Sequence, residues 1–168
     1  KLNEDLSKID FKIPNIGFRT DLKLEKKRGD TIKGNAKIKI FNTNLKFEFT
    51  YSDNKFEIFN SFLRNKLLSF NNNSVIIFNP YFDLKSKFVI EDIDLKLFKE
   101  FNFEKLLNKE NIIKRINSEN EFSFIPKKFS GYIFDELNLK INLAYGRLKY
   151  QKNFLIDNSV FNCEGSMN

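Results

Sequence analysis

Four carboxylates carry the spacing that acid–base chemistry would ask for: Asp92 with Asp94, and Glu48 with Glu57. Paired carboxylates do such work when their surroundings separate their pKa values and a nucleophile or substrate pocket lies within reach. The chain has no histidine and no serine-centred motif, so these acids read as members of a solvated face. Cys163 is the one cysteine, which excludes an internal disulfide and any multi-cysteine metal site. Within a strand pattern it reads as a small hydrophobe rather than a reactive thiol. Tyr145, Gly146 and Arg147 could contact a ligand, but Gly between two strand-like runs predicts a bulge. The sequence therefore predicts no enzyme, no metal and no cofactor.

Aromatic and basic residues interleave at Lys46, Phe47, Phe49, Tyr51 and Lys55, as they do on platforms that stack single-stranded bases. On an extended strand, however, alternate residues face opposite ways. The rings would share one side and the lysines the other, which is the pattern of a half-buried sheet. Lysines also alternate with acids (Lys46 and Glu48, Lys55 and Glu57) instead of clustering. The net charge of +7 is thus read as a mixed-sign solvated face, and nucleic acid is not an expected partner.

The elements that position these residues follow from period-two alternation. Leu137, Leu139, Ile141, Leu143 and Tyr145 alternate with polar neighbours. Gly146 interrupts, Arg147 to Tyr150 resumes, a turn is predicted near Gln151 to Asn153, and Phe154 to Gly165 follows. Upstream, Lys1 to Asn15 reads as an extended lead-in or short strand. Phe18 to Leu24, Ile32 to Ile40, Leu45 to Tyr51 and Phe56 to Phe62 read as strands joined by turns at 25–30, 42–44 and 52–54. Leu67 to Phe70 and Val75 to Phe78 read as two shorter pieces split by Asn71 to Asn73, and Phe82 to Ile90 as the next strand.

The period changes after Glu91. Leu97, Phe98, Phe101, Phe103, Leu106, Leu107, Ile113 and Ile116 recur at helical spacing. They predict a short helix over 95–101 and a longer one over 103–116, with Asn102 as N-cap. Strand pattern returns at Glu121 to Ile125, where Pro126 marks an edge or turn. The expected fold is mainly β (α+β): a long antiparallel meander forming a curved, groove-like sheet with one helical insert around 95–117. A single domain spans 1–168, divided into strands over 1–91, the insert over 92–118 and strands over 119–168.

About nine amphipathic strands then bring Phe, Leu and Ile to one side, with little helix to cover them. Burying one such side chain is worth about 1.5–3 kcal/mol, so the faces call for a cover. A sandwich, a barrel or an apolar groove that binds something greasy would each supply one. Gly and Pro number only six and three, which favours an extended sheet over a compact Greek key. Phe47, Phe49, Phe56, Ile58, Leu139, Ile141 and Leu143 are the expected groove or core residues. No stretch approaches the roughly 18 consecutive apolar residues of a membrane-spanning helix. The start at Lys1, without Met or a signal-like apolar region, suggests a piece of a longer protein.

The stretch from Phe134 to Leu148, continued by Lys149 to Asn153 and by Ile156 through Phe161 to Gly165, resembles an AsmA-like domain. The pattern is an amphipathic strand, a Gly146-Arg147-Leu148 restart, a second hairpin strand and a closing strand ending in Gly165. Phe82 to Ile90, followed by the Leu- and Phe-rich helical pair, resembles the insert of such proteins. The resemblance implies a non-catalytic, lipid-handling segment akin to bridge-like lipid-transfer proteins. It implies phospholipid or another acyl lipid as partner, moving between inner and outer membrane of a Gram-negative envelope. It further implies a periplasmic location, with the membrane reached through an anchor elsewhere in the parent chain. The alternative expectation is a closed β-sandwich, a structural or interaction module of a bacterial envelope protein with no lipid ligand.

Overall fold

The computed structural model describes residues 8–26, 30–94, 116–126 and 133–167. Eleven strands follow one another: β1 (Lys8–Ile13), β2 (Phe18–Lys26), β3 (Ile32–Ile40), β4 (Thr43–Ser52), β5 (Lys55–Arg64) and β6 (Leu68–Ile77) come first. Then come β7 (Phe82–Ile93), β8 (Ile116–Phe124), β9 (Glu136–Ala144), β10 (Arg147–Ile156) and β11 (Ser159–Met167). All eleven lie in one sheet, in sequence order, with β1 and β11 at its two ends. The sheet is open rather than a barrel.

Two-residue turns set the register of the hairpins. Asp53 and Asn54 (φ 48° and 61°), Tyr145 and Gly146 (53° and 78°), and Asp157 and Asn158 (46° and 63°) are each left-handed at both positions. That is the turn whose twist matches a hairpin, and Asn, Asp and Gly tolerate it best. Tyr145–Gly146 is therefore a tight turn between β9 and β10, not a bulge. The last turn falls at Asp157–Asn158, and Gln151 to Asn153 run straight through the middle of β10. Three consecutive polar residues imitate a turn in sequence; the positive-φ pair marks the real one.

Two further boundaries differ from the alternation. β6 is unbroken from Leu68 to Ile77, because Asn72 is anchored rather than solvated: its amide donates to the Lys87 carbonyl of β7 (3.2 Å). β8 begins at Ile116, so Ile116 and Asn117 belong to a strand and not to the end of a helix; residues 95–115 lie outside the described residues. Ser118 and Asn120 occupy inward positions there and hide the alternation. Nine of the strand pairings expected from a meander are antiparallel, and β7 with β8 is parallel. Parallel neighbours require a crossover connection.

The pairing register sorts every strand residue to one of two faces. Ile9, Leu22, Ala36 and Phe47 share one face across β1 to β4. Phe56, Ile76 and Leu84 continue it over β5 to β7, and Ser118, Leu143 and Leu148 over β8 to β10. Lys23, Lys37, Lys46, Lys85, Glu119, Asn142 and Lys149 lie on the other. A bulge in β5 between Ile58 and Ser61, with Asn60 at φ 48°, reverses the parity there. It sends Phe62 to the charged face, under the Arg64 guanidinium (5.2 Å), and turns Ser61 and Leu63 to the apolar face. Further register shifts occur in β4 and β6; such irregularities increase local twist.

Little of this sheet is enclosed. Only Ala36, Phe49 and Phe124 are buried among the described apolar residues, at 2%, 8% and 3% exposure. The chain's accessible surface is 13163 Å², against about 8,700 Å² for a compact monomer of 20.0 kDa.

Candidate functional site

All seven residues expected to line a groove or core lie on the apolar face. Phe47 and Phe49 on β4 sit beside Phe56 and Ile58 on β5, and Leu139, Ile141 and Leu143 follow one another along β9. They form two groups rather than one, because β6, β7 and β8 run between β5 and β9. Phe49 is the anchor of the first group. Its ring stacks on Phe56 at 5.1 Å, and Phe47 adjoins it at 6.1 Å.

The alternation alone did not single out what fills the gap. Phe70, Phe88 and Phe122 carry the apolar surface across β6 to β8, with Phe70–Phe88 edge-on at 5.2 Å and Phe88–Phe122 stacked at 4.9 Å. Beside these rings lies a belt of polar residues: Ser61, Asn72, Ser74, Ser86, Ser118 and Asn120. Five of the six are buried. The Ser74 hydroxyl donates to Asn72 Oδ1 (2.9 Å) and the Ser86 hydroxyl to Asn120 Oδ1 (2.5 Å). Asn120 Nδ2 donates onward to the Ser118 hydroxyl (3.1 Å). The signal for it in sequence was there, as Ser and Asn at in-phase positions of otherwise apolar strands.

At about 4.8 Å between neighbouring strands, the ten pairings of the sheet carry this face over roughly 48 Å. That length exceeds an extended acyl chain of about 20 Å. Two glycines on this face lie hard against their neighbours. A Cβ on Gly34 would meet the Lys23 carbonyl oxygen and the Phe49 ring, each at 2.6 Å, and one on Gly165 would meet the Tyr150 ring at 2.6 Å.

The opposite face is electrostatically paired. Lys85 meets Glu119 at 3.5 Å, and Glu121 is flanked by Lys87 and Lys140, both at 3.2 Å. Hydrogen bonds from Lys140 and Lys87 hold the Glu121 carboxyl below the ordinary glutamate range. A carboxylate with a lowered folded-state pKa stabilises the fold above its unfolded value, and that contribution disappears as pH falls through the folded value. Carboxyl-carbon NMR titration is expected to place Glu121 below an ordinary glutamate, and Lys140→Met to move it upward; an unchanged midpoint in the variant would refute the pairing.

Of the acid–base candidates, Glu48 and Glu57 lie on this charged face, on the adjacent strands β4 and β5. Glu57 accepts from Thr50 (3.0 Å) and pairs with Lys55 (2.5 Å), and both contacts lower its pKa, Lys55 the more. Glu48 accepts from the Asn60 amide (3.1 Å). Open clefts of about 610 Å³ and 490 Å³ are walled mainly by this face, the first by Glu119, Glu121, Lys140 and Lys149, the second by Arg19, Asp21 and Lys37. Their mixed charge suits solvent better than an apolar ligand. Among the described residues no group of three or more His, Cys, Asp or Glu side chains converges as metal ligands. Cys163 is exposed, on the apolar face of β11 opposite Lys152.

Ion pairs gather on one face, while rings and aliphatics dominate the other, with the polar belt of β5 to β8 set among them. No protein-family model, no curated protein and no solved structure matches the chain.

Proposed function

We propose that this chain is a non-catalytic lipid-handling segment, a curved sheet whose apolar face shelters acyl chains. The observation that carries the reading is the continuity of that face across eleven strands, with only three described apolar side chains buried. Exposed apolar surface of this extent is a cost in water unless something covers it. A flexible hydrocarbon chain suits a long, ring-lined floor. The resemblance of Phe134 to Gly165 to AsmA-like domains extends the proposal to phospholipid moving through a bacterial periplasm, in a parent protein anchored in the inner membrane.

Native mass spectrometry of the purified chain, with lipid extraction, tests the reading. Phospholipid is expected to co-purify in stoichiometric amounts. A stable, lipid-free chain that takes up none from vesicles would overturn it and favour the alternative, an envelope interaction module whose apolar face is covered by protein.

A further inference from the structure

Every lysine in β3 to β10 but one takes a register position on the charged face. The exception is Lys152, in the middle of β10. It pairs with Leu139 of β9 and Cys163 of β11, and along its own strand it shares the apolar face with Tyr150 and Phe154. A lysine needed only for solubility would sit equally well at Gln151 or Asn153, which face the charged side. A charge on an apolar face breaks the alternation that the rest of the sheet keeps, and it gives up hydration there. No carboxylate among the described residues pairs with Lys152; the ion pairs are made by other residues. Its ammonium lies over the Phe154 ring, 5.3 Å from the centroid, and the side chain is exposed. A long stem over a ring with the head in water leaves the cation open to an anion from outside.

What lies inward of Lys152 is hydrocarbon. Across the strands the register aligns Lys152 with Leu139 on β9, Phe122 on β8 and Phe88 on β7. Phe122 stacks on Phe88 at 4.9 Å, and Phe70 of β6 meets Phe88 edge-on. Four strand spacings of about 4.8 Å, from β10 to β6, make this row about 19 Å long, close to the length of an extended acyl chain. The adjoining row through Tyr150 and Ile141 turns polar at Asn120 and Ser86, so hydrocarbon is better served by the row of Lys152. Outward of Lys152, β11 is exposed along most of its length. The cation therefore stands at the wet end of an apolar row.

We propose that Lys152 anchors the headgroup: its ammonium holds the phosphate of an anionic phospholipid while an acyl chain runs inward over Leu139, Phe122 and Phe88. The anchor rests on the lipid-handling reading and adds to it the headgroup class and the direction in which the lipid lies on the sheet.

The test incubates the full 168-residue chain with vesicles of equal parts dioleoyl phosphatidylglycerol and dioleoyl phosphatidylcholine, reisolates the chain and counts the retained lipids by mass spectrometry. Phosphatidylglycerol is expected to be enriched about fivefold, the yield of one lysine beside an anionic lipid. Lys152→Met keeps an unbranched stem at an exposed position; it is expected to retain phospholipid with the enrichment lost, and Lys152→Arg to restore it. Lys149→Met removes the same charge from the other face of β10 and is expected to keep the enrichment. No enrichment by the unmodified chain overturns the anchor while leaving the lipid reading intact, and needs no variant to fold. Enrichment that survives Lys152→Met, or falls equally with Lys149→Met, overturns the assignment to Lys152. Retention of neither lipid overturns the lipid-handling reading itself, and the anchor with it.

Discussion

A Gly34→Val chain is expected to unfold at a urea midpoint about 1.5 M lower than the unmodified chain, a loss of about 3 kcal/mol at a typical slope of about 2 kcal/mol per M. The reason is local and steric. The added Cβ would lie 2.6 Å from the Lys23 carbonyl oxygen of β2 and 2.6 Å from the Phe49 ring. The ring can shift; the carbonyl cannot, because it belongs to the ladder in which β2 pairs with β3. Truncating Phe49 to alanine in the same chain should therefore relieve only part of the damage. Gly165→Val makes the informative contrast. Its Cβ would meet first the Tyr150 ring, a side chain near the open end of the sheet that can swing aside, so a smaller loss of about 1 kcal/mol is expected. Equal midpoints for the two variants would contradict the placement of β3 against Phe49.

The second large effect concerns lipid. Ile141 and Asn142 are neighbours on β9 that face opposite ways, Ile141 towards Asn120 and Tyr150 on the apolar side and Asn142 towards Glu119 and Lys149 on the charged side. Ile141→Asp places a carboxylate where an acyl chain would lie, and desolvating an unpaired charge costs several kcal/mol. Lipid uptake measured by fluorescent phospholipid binding is expected to fall at least about tenfold (about 1.4 kcal/mol). Asn142→Asp adds the same charge to the solvated face and is expected to leave uptake within about twofold. Ile141 is partly buried, so circular dichroism first checks that both chains fold, and uptake is compared between folded chains. Equal losses in the two variants would mean that the face is not what lipid touches.

How much of this was legible beforehand depends on which physical signal each feature carries. Alternation of Phe, Leu and Ile with Lys, Asn and Glu is written directly into strands such as Ile32–Ile40 and Glu136–Ala144, so fold class and the common face of the seven groove residues follow from period two. Polar inward positions break that signal. Ser118 and Asn120 obscured β8, and Asn71 to Asn73 appeared to cut β6, because a buried Asn is recognisable only through the carbonyl or hydroxyl it bonds across the sheet. Strand direction carries no periodicity at all, so the parallel joint of β7 and β8 was not readable. The β5 bulge likewise depends on Asn60 adopting a left-handed conformation, and it moved Phe62 from the expected side to the other. The belt escaped for the same reason as β8: its meaning lies in which strands are adjacent.

The most direct test of the central claim is photo-crosslinking from adjacent β9 positions. A photoreactive amino acid is placed in turn at Leu139, on the apolar face opposite Phe122, and at Lys140, opposite Glu121, and the chain is equilibrated with phospholipid vesicles before irradiation. The account expects lipid adducts from position 139 and few from position 140, with the same alternation repeated at Leu143 and Asn142. Adducts of equal yield from both faces, or from neither, would contradict a one-sided lipid-binding sheet.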